Sequence, residues 1–96
     1  MSKYDCAPGD PLDMLAEECA ELIQACMKLR RFGPDGAPGY AGTKPRDEIK
    51  REIGDVLCAV ERLIESGFMS EGEARIARDN KRARIYSEMI QRRGSL

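Results

Sequence analysis

Thirteen consecutive residues, Gly33-Pro-Asp-Gly-Ala-Pro-Gly-Tyr-Ala-Gly-Thr-Lys-Pro45, hold four glycines and three prolines. Neither a helix nor a strand survives that density. Glycine makes order entropically costly, and proline removes backbone donors. The stretch therefore splits the chain into segments that meet across a loop. It is longer than most helix–helix connections, and long ordered loops are often functional.

On both sides of this break the apolar residues recur at threes and fours. Asp10 and Pro11 read as a helix start, with aspartate at the cap, proline at the first helical position and Asp13 in the first turn. Leu12, Leu15, Cys19, Leu22, Ile23, Cys26 and Leu29 then mark one face of a helix ending near Phe32. Pro45 opens a second helix, to about Ser66, with the stripe Ile49, Ile53, Val56, Leu57, Val60, Leu63 and Ile64. Gly67-Phe68 suits its C-cap. Ser70-Glu-Gly-Glu73 is a capping-box pattern ahead of a third helix, from about Glu71 to Arg92. Residues 1–10 read as an irregular tail, and no internal repeat, low-complexity tract or β-type alternation stands out.

The expected fold class is all-α: one domain over residues 1–96, with about three helices. Three helices make a thin bundle. Completing it with another copy, as a homodimer or homotetramer, is the economical way to bury both long stripes. No apolar run approaches the roughly 20 residues needed to span a bilayer, and the first residues lack the apolar segment of a signal peptide. A cytoplasmic protein without a membrane partner is the expectation. Cys6, Cys19, Cys26 and Cys58 have no zinc-type spacing and read as small apolar core residues.

The chain has no histidine, which removes Ser-His-Asp triads, imidazole bases and histidine metal sites. Catalysis here must run on carboxylates, lysine, arginine or a metal. Charge is uneven. Residues 1–74 carry 9 Lys+Arg and 15 Asp+Glu, net −6, whereas residues 75–96 carry 7 and 2, net +5. One part suits cations and the other anions, and a phosphate substrate needs both.

Within the acidic part, the first helix carries Glu18 and Glu21 and the second carries Glu52 and Asp55. Acids three apart lie on one side of a helix. At roughly 100° per residue, Glu18 and Glu52 fall about 80° from the centres of their apolar stripes, and Glu21 and Asp55 about 140°, in the same sense. Antiparallel packing then makes the two pairs either face each other or both face away. Four facing carboxylates repel unless cations or protons intervene. An oxygen-only set favours Mg²⁺ or Mn²⁺ over zinc. Glu48 reads as an ordinary surface acid.

Leu15-Ala-Glu-Glu-Cys-Ala-Glu21-Leu, followed after the loop by Glu52-Ile-Gly-Asp55-Val-Leu, resembles the EExxE…ExxD signature of the MazG-like all-α nucleoside triphosphate pyrophosphatases. Asp79-Asn80-Lys81 and Arg84 resemble the segment that completes the site in that superfamily. The resemblance implies Mg²⁺-dependent hydrolysis of nucleoside triphosphates, deoxy forms included, to monophosphate and pyrophosphate. That activity serves nucleotide-pool house-cleaning. It also implies Glu18, Glu21, Glu52 and Asp55 as metal ligands, with Glu21 or Glu18 as the base for the attacking water, and assembly as dimers or tetramers. Members usually carry a further helix ahead of the EExxE helix. Here about ten residues precede Pro11, and the gap from Glu21 to Glu52 is on the long side.

The third helix adds its own clue. Ile76, Ala83, Tyr86 and Ile90 define a stripe, with Asp79 in its middle and Asn80 at its edge. Buried polar groups are costly unless paired, so Asp79 is expected to approach the metal cluster or a water, and Asn80 the nucleotide. Lys81, Arg84, Arg78 and the loop residue Lys44 are candidates for phosphate oxygens. Two other readings compete: a phosphoribosyl-ATP pyrophosphohydrolase, and a non-enzymatic helical interaction module. The former is expected to show an aromatic–histidine pair after Asp55, where Val56-Leu-Cys-Ala-Val60 stands. Without interleaved aromatics on the basic helix, no nucleic-acid partner is expected.

Overall fold

A computed structural model describes residues 10–94, so the expected tail up to Gly9, Cys6 included, lies outside the described residues. Helix α1 spans Pro11–Phe32, α2 Pro45–Glu65 and α3 Glu71–Gly94, with no strand among the described residues. The all-α expectation holds, and the helix limits fall within about two residues of those read from sequence.

The ends form for local reasons. Asp10 caps α1 by accepting from the Leu12 amide at 2.7 Å, with Pro11 at the first helical position. The Ser70 hydroxyl accepts from the Glu73 amide at 3.0 Å, and the Ser70 amide donates to Glu73 Oε1 at 2.9 Å, which is the reciprocal capping box. Gly33 and Gly67 close α1 and α2 at φ +78° and +88°.

The long linker is folded as well. Tyr40 stacks obliquely on Phe32, with ring centroids 5.4 Å apart. Asp35 accepts a hydrogen bond from the Arg46 guanidinium and lies 3.9 Å from the Lys44 ammonium. The Arg46 amide donates to the Pro34 carbonyl at 3.1 Å.

α1 and α2 run antiparallel. Lys28 meets Glu48 near the loop, while Glu18 and Glu21 meet Glu52 and Asp55 further from it. The buried centre of their contact is Ala25, Ala59 and Leu63, with Pro45 and Glu52. Leu15, Leu22 and Leu29 of α1 and Ile49 and Val56 of α2 are half-buried around it.

This seam corrects the sequence-based core. The wide apolar stripes split into two faces, of which only one packs. Leu12, Ile23, Ile53 and Leu57 are exposed, as are Cys19, Cys26 and Cys58, so the described cysteines are not core residues of the chain. Ala25 and Ala59 lie at separate points along the antiparallel seam and are fully buried there, so the packed face of each helix runs through its alanine. Glu18 and Glu52, seven residues before each alanine, are thereby turned into the seam rather than left 80° from it.

The burial pattern also reveals an internal repeat that inspection of the sequence misses. Pro11 and Pro45, Asp13 and Asp47, Glu18 and Glu52, Ala25 and Ala59, Leu29 and Leu63, and Gly33 and Gly67 are all separated by 34 positions. Glu21 and Asp55 obey the same offset. The hairpin therefore has an approximate two-fold axis across its layer. Offsets of equal sense put both acid pairs on one side and both exposed apolar flanks on the other.

Substantial helix packing joins only α1 and α2. α3 approaches α2 near its start, where Ala74, Arg75 and Arg78 border a groove with Leu57 and Val60. The radius of gyration is 17.6 Å, against roughly 12.5 Å for a compact chain of this length. The smallest extent is only 16 Å, close to a single layer of helices. No described helix is long and apolar enough to cross a membrane.

A Cβ on Gly36 would collide with the Tyr40 ring, whereas one on Gly33 meets open space, and both glycines have positive φ. Gly33→Ala is expected to cost on the order of 1–3 kcal/mol from backbone strain alone, because φ +78° with ψ 172° is a conformation essentially restricted to glycine. Gly36→Ala should cost more, because the Tyr40 ring must also move off Phe32. Urea unfolding of the two variants measures the difference.

Candidate metal centre

Glu18 and Glu21 sit one turn apart on α1, and Glu52 and Asp55 likewise on α2. The antiparallel seam brings the two pairs face to face. One carboxylate oxygen from each lies within 4.8 Å of the other three. Of the two alternatives that the helical wheel leaves open, the fold adopts the facing one.

Burial divides the four. Glu52 is 6% exposed, Glu18 and Asp55 are half-buried and Glu21 is exposed. Glu52 Oε1 lies 3.4 Å from the Arg51 guanidinium, but Glu52 Oε2 and Glu18 Oε2 are both shielded from solvent without a hydrogen-bond partner. Shielded carboxylate oxygens without donors are costly. Burial, then the nearby charges of Glu21 and Asp55, hold the Glu18 carboxyl above the usual glutamate range. A hydrogen bond shared with Glu21 and the charge of Glu52 act in the same direction.

Such a set fits a hard divalent cation. All donors are carboxylate oxygens, and two of the oxygens have no hydrogen-bond partner. The absence of histidine and of cysteine in the group favours Mg²⁺ or Mn²⁺ chemistry over zinc.

The other candidates lie elsewhere in the single chain. Lys44 is held at the loop beside Asp35. Asp79, Asn80, Lys81 and Arg84 are exposed on α3. Asp79 is paired with Arg78, whose guanidinium lies 3.1 Å from its carboxylate. The expected inward placement of Asp79 and Asn80 thus does not occur within one protomer, because α3 does not fold back onto the α1–α2 seam. Two residues that sequence reasoning passed over do belong to the surroundings. Glu48 is not an ordinary surface acid: its side chain is 16% exposed and pairs with Lys28 at 3.1 Å across the seam. Helical spacing carried a signal for Glu48, which lies one turn before Glu52 on the same side of α2.

The comparisons with known proteins agree with the geometry. A family model described as the MazG nucleotide pyrophosphohydrolase domain matches residues 10–93. Nothing among the curated proteins matches significantly, and no solved structure does.

Two predictions follow from the unpaired oxygens. Glu18 carries a raised pKa in the fold, so the native state binds its proton more readily than the unfolded chain. In metal-free buffer, stability should therefore rise as pH falls from neutral through Glu18's raised range, and the gain should end near the ordinary glutamate value. Thermal melts in chelator across that range, with Glu18→Gln as the flat control, measure it. Millimolar Mg²⁺ or Mn²⁺ should stabilise the protein by about 2–3 kcal/mol when present near a hundredfold over its dissociation constant. Glu52→Gln should remove most of that gain.

Proposed function

The chain belongs to the MazG nucleotide pyrophosphohydrolase domain family, and from that membership we propose that it hydrolyses nucleoside triphosphates, deoxynucleotides included, to monophosphate and pyrophosphate. The observation that carries the reading is the four-carboxylate cluster with two shielded, unpartnered oxygens on facing helices. A role in clearing unwanted nucleotides is the physiological form of this activity.

Glu18, Glu21, Glu52 and Asp55 would hold Mg²⁺, with Mn²⁺ as a substitute. When bound, the cation supplies charge neutralisation for the phosphoryl oxygens and lowers the pKa of a coordinated water. In the reaction, a water oxygen attacks the α-phosphorus and the bond to the bridging α–β oxygen breaks. Pyrophosphate leaves with that oxygen, and the water proton passes to a carboxylate. Glu21 and Glu18 are the proposed acceptors. Glu21 is the more open to solvent, and Glu18 already has a raised proton affinity.

The basic helix joins the site in an assembly. The α1–α2 hairpin exposes an apolar flank opposite its acids, and α3 exposes Ile76, Tyr86, Met89 and Ile90. Charge complements shape, since residues 10–65 carry 8 Lys+Arg and 12 Asp+Glu whereas residues 71–94 carry 7 and 4. A homodimer or homotetramer buries these surfaces and lets Asp79, Asn80, Lys81 and Arg84 of one copy approach the acids of another.

A panel of ribo- and deoxynucleoside triphosphates and phosphoribosyl-ATP, with Mg²⁺ and products resolved, tests the reaction. Pyrophosphate is the expected product, and orthophosphate alone would contradict the cleavage position. Glu18→Gln and Asp55→Asn should each abolish turnover while leaving helical content unchanged. Retained activity in both would remove the metal assignment.

A further inference from the structure

The acid cluster sits on an approximate two-fold axis, yet its two ends are chemically different. Along the acid side of the seam the 34-residue offset pairs Lys28 with Arg62 and Glu48 with Met14. At the loop end, Lys28 Nζ is drawn across the seam to Glu48 Oε1 at 3.1 Å. At the other end the position of Glu48 is taken by half-buried Met14, and Arg62 lies instead 3.9 Å from Glu65 on its own helix. The loop end thus keeps an ammonium on the seam, and the far end presents a thioether.

Distance makes this ammonium relevant to the site. Glu48 precedes Glu52 by one turn, a rise of about 6 Å, and Lys28 reaches back to it from two turns beyond Glu21. Its charge is therefore held one helical turn from the carboxylates, close enough to meet phosphates continuing outward from one bound at the acids. An ammonium has three donors, and Glu48 takes one. The remaining two are free for an anion.

We propose that Lys28, positioned by Glu48, binds the pyrophosphate end of the substrate and so fixes its direction. The β- and γ-phosphates point toward the loop, and the nucleoside points toward Met14. This inference rests on the pyrophosphohydrolase reading and adds a polarity that the near-symmetric acids cannot supply. Four carboxylates related by a two-fold axis hold a polyphosphate equally well in either direction, whereas one cation at one end does not.

Calorimetric titration of the full chain with inorganic pyrophosphate in Mg²⁺ tests it, with a nucleoside monophosphate as the second ligand. Lys28→Met should weaken pyrophosphate binding about tenfold, the usual scale for losing a charge-assisted hydrogen bond. It should leave monophosphate binding within about twofold, a change too small to register as a lost bond. Lys28→Arg should restore most of the affinity, and Glu48→Gln should give an intermediate loss. Arg62→Met should bind pyrophosphate as the parent chain does. Unchanged pyrophosphate binding in Lys28→Met, or an equal loss in Arg62→Met, would overturn the assignment. A wild-type chain that releases no pyrophosphate from any nucleotide instead fails the reaction itself, and the binding titration still reads the role of Lys28.

Discussion

The antiparallel packing of α1 on α2 holds four carboxylates together. Ala25 and Ala59 are fully buried at separate points along that seam, and they mark the packed face of each helix. Seven residues is nearly two full turns, so the glutamates at 18 and 52 face the seam as the alanines do. Their charges repel at such distances, and among the described residues neither shielded oxygen has a hydrogen-bond partner. Helix packing supplies the energy that a cation would return. The site is therefore a locally unfavourable arrangement maintained by a favourable one, which is the usual relation between a functional centre and its scaffold.

The 34-residue repeat sets where the acids fall. Each helix presents the same order of proline, acid pair, alanine and leucine, so an antiparallel pair places both acid pairs on one side without further instruction. It also places both leftover apolar flanks on the other side. One face of the hairpin is therefore charged, and the other exposes Ile23, Ile53 and Leu57. Departures from the repeat, notably glutamate at 48 against methionine at 14, give the two ends of the polar face different chemistry.

α3 shows the limit of a single protomer. Its stripe of Ile76, Tyr86 and Ile90 has no partner within the chain, and Asp79 settles for its neighbour Arg78. An apolar stripe of that length is seldom left in water. Its placement relative to the hairpin depends on contacts that local sequence patterns do not encode.

The sequence by itself determined the three helices, their caps and the loop, because periodicity, proline, glycine and capping side chains act within a few residues. The same locality made Glu18, Glu21, Glu52 and Asp55 recognisable as two pairs at equal offset. Only the tertiary structure decided that the pairs face each other, that Glu18 and Glu52 lie inside the seam and that the cysteines lie outside it. The wide apolar stripes pointed the wheel toward Cys19 and Ile53, since hydrophobicity counts every apolar residue alike. Packing does not: it buries the face that carries Ala25, Ala59 and Leu63 and leaves Ile23, Ile53 and Leu57 exposed.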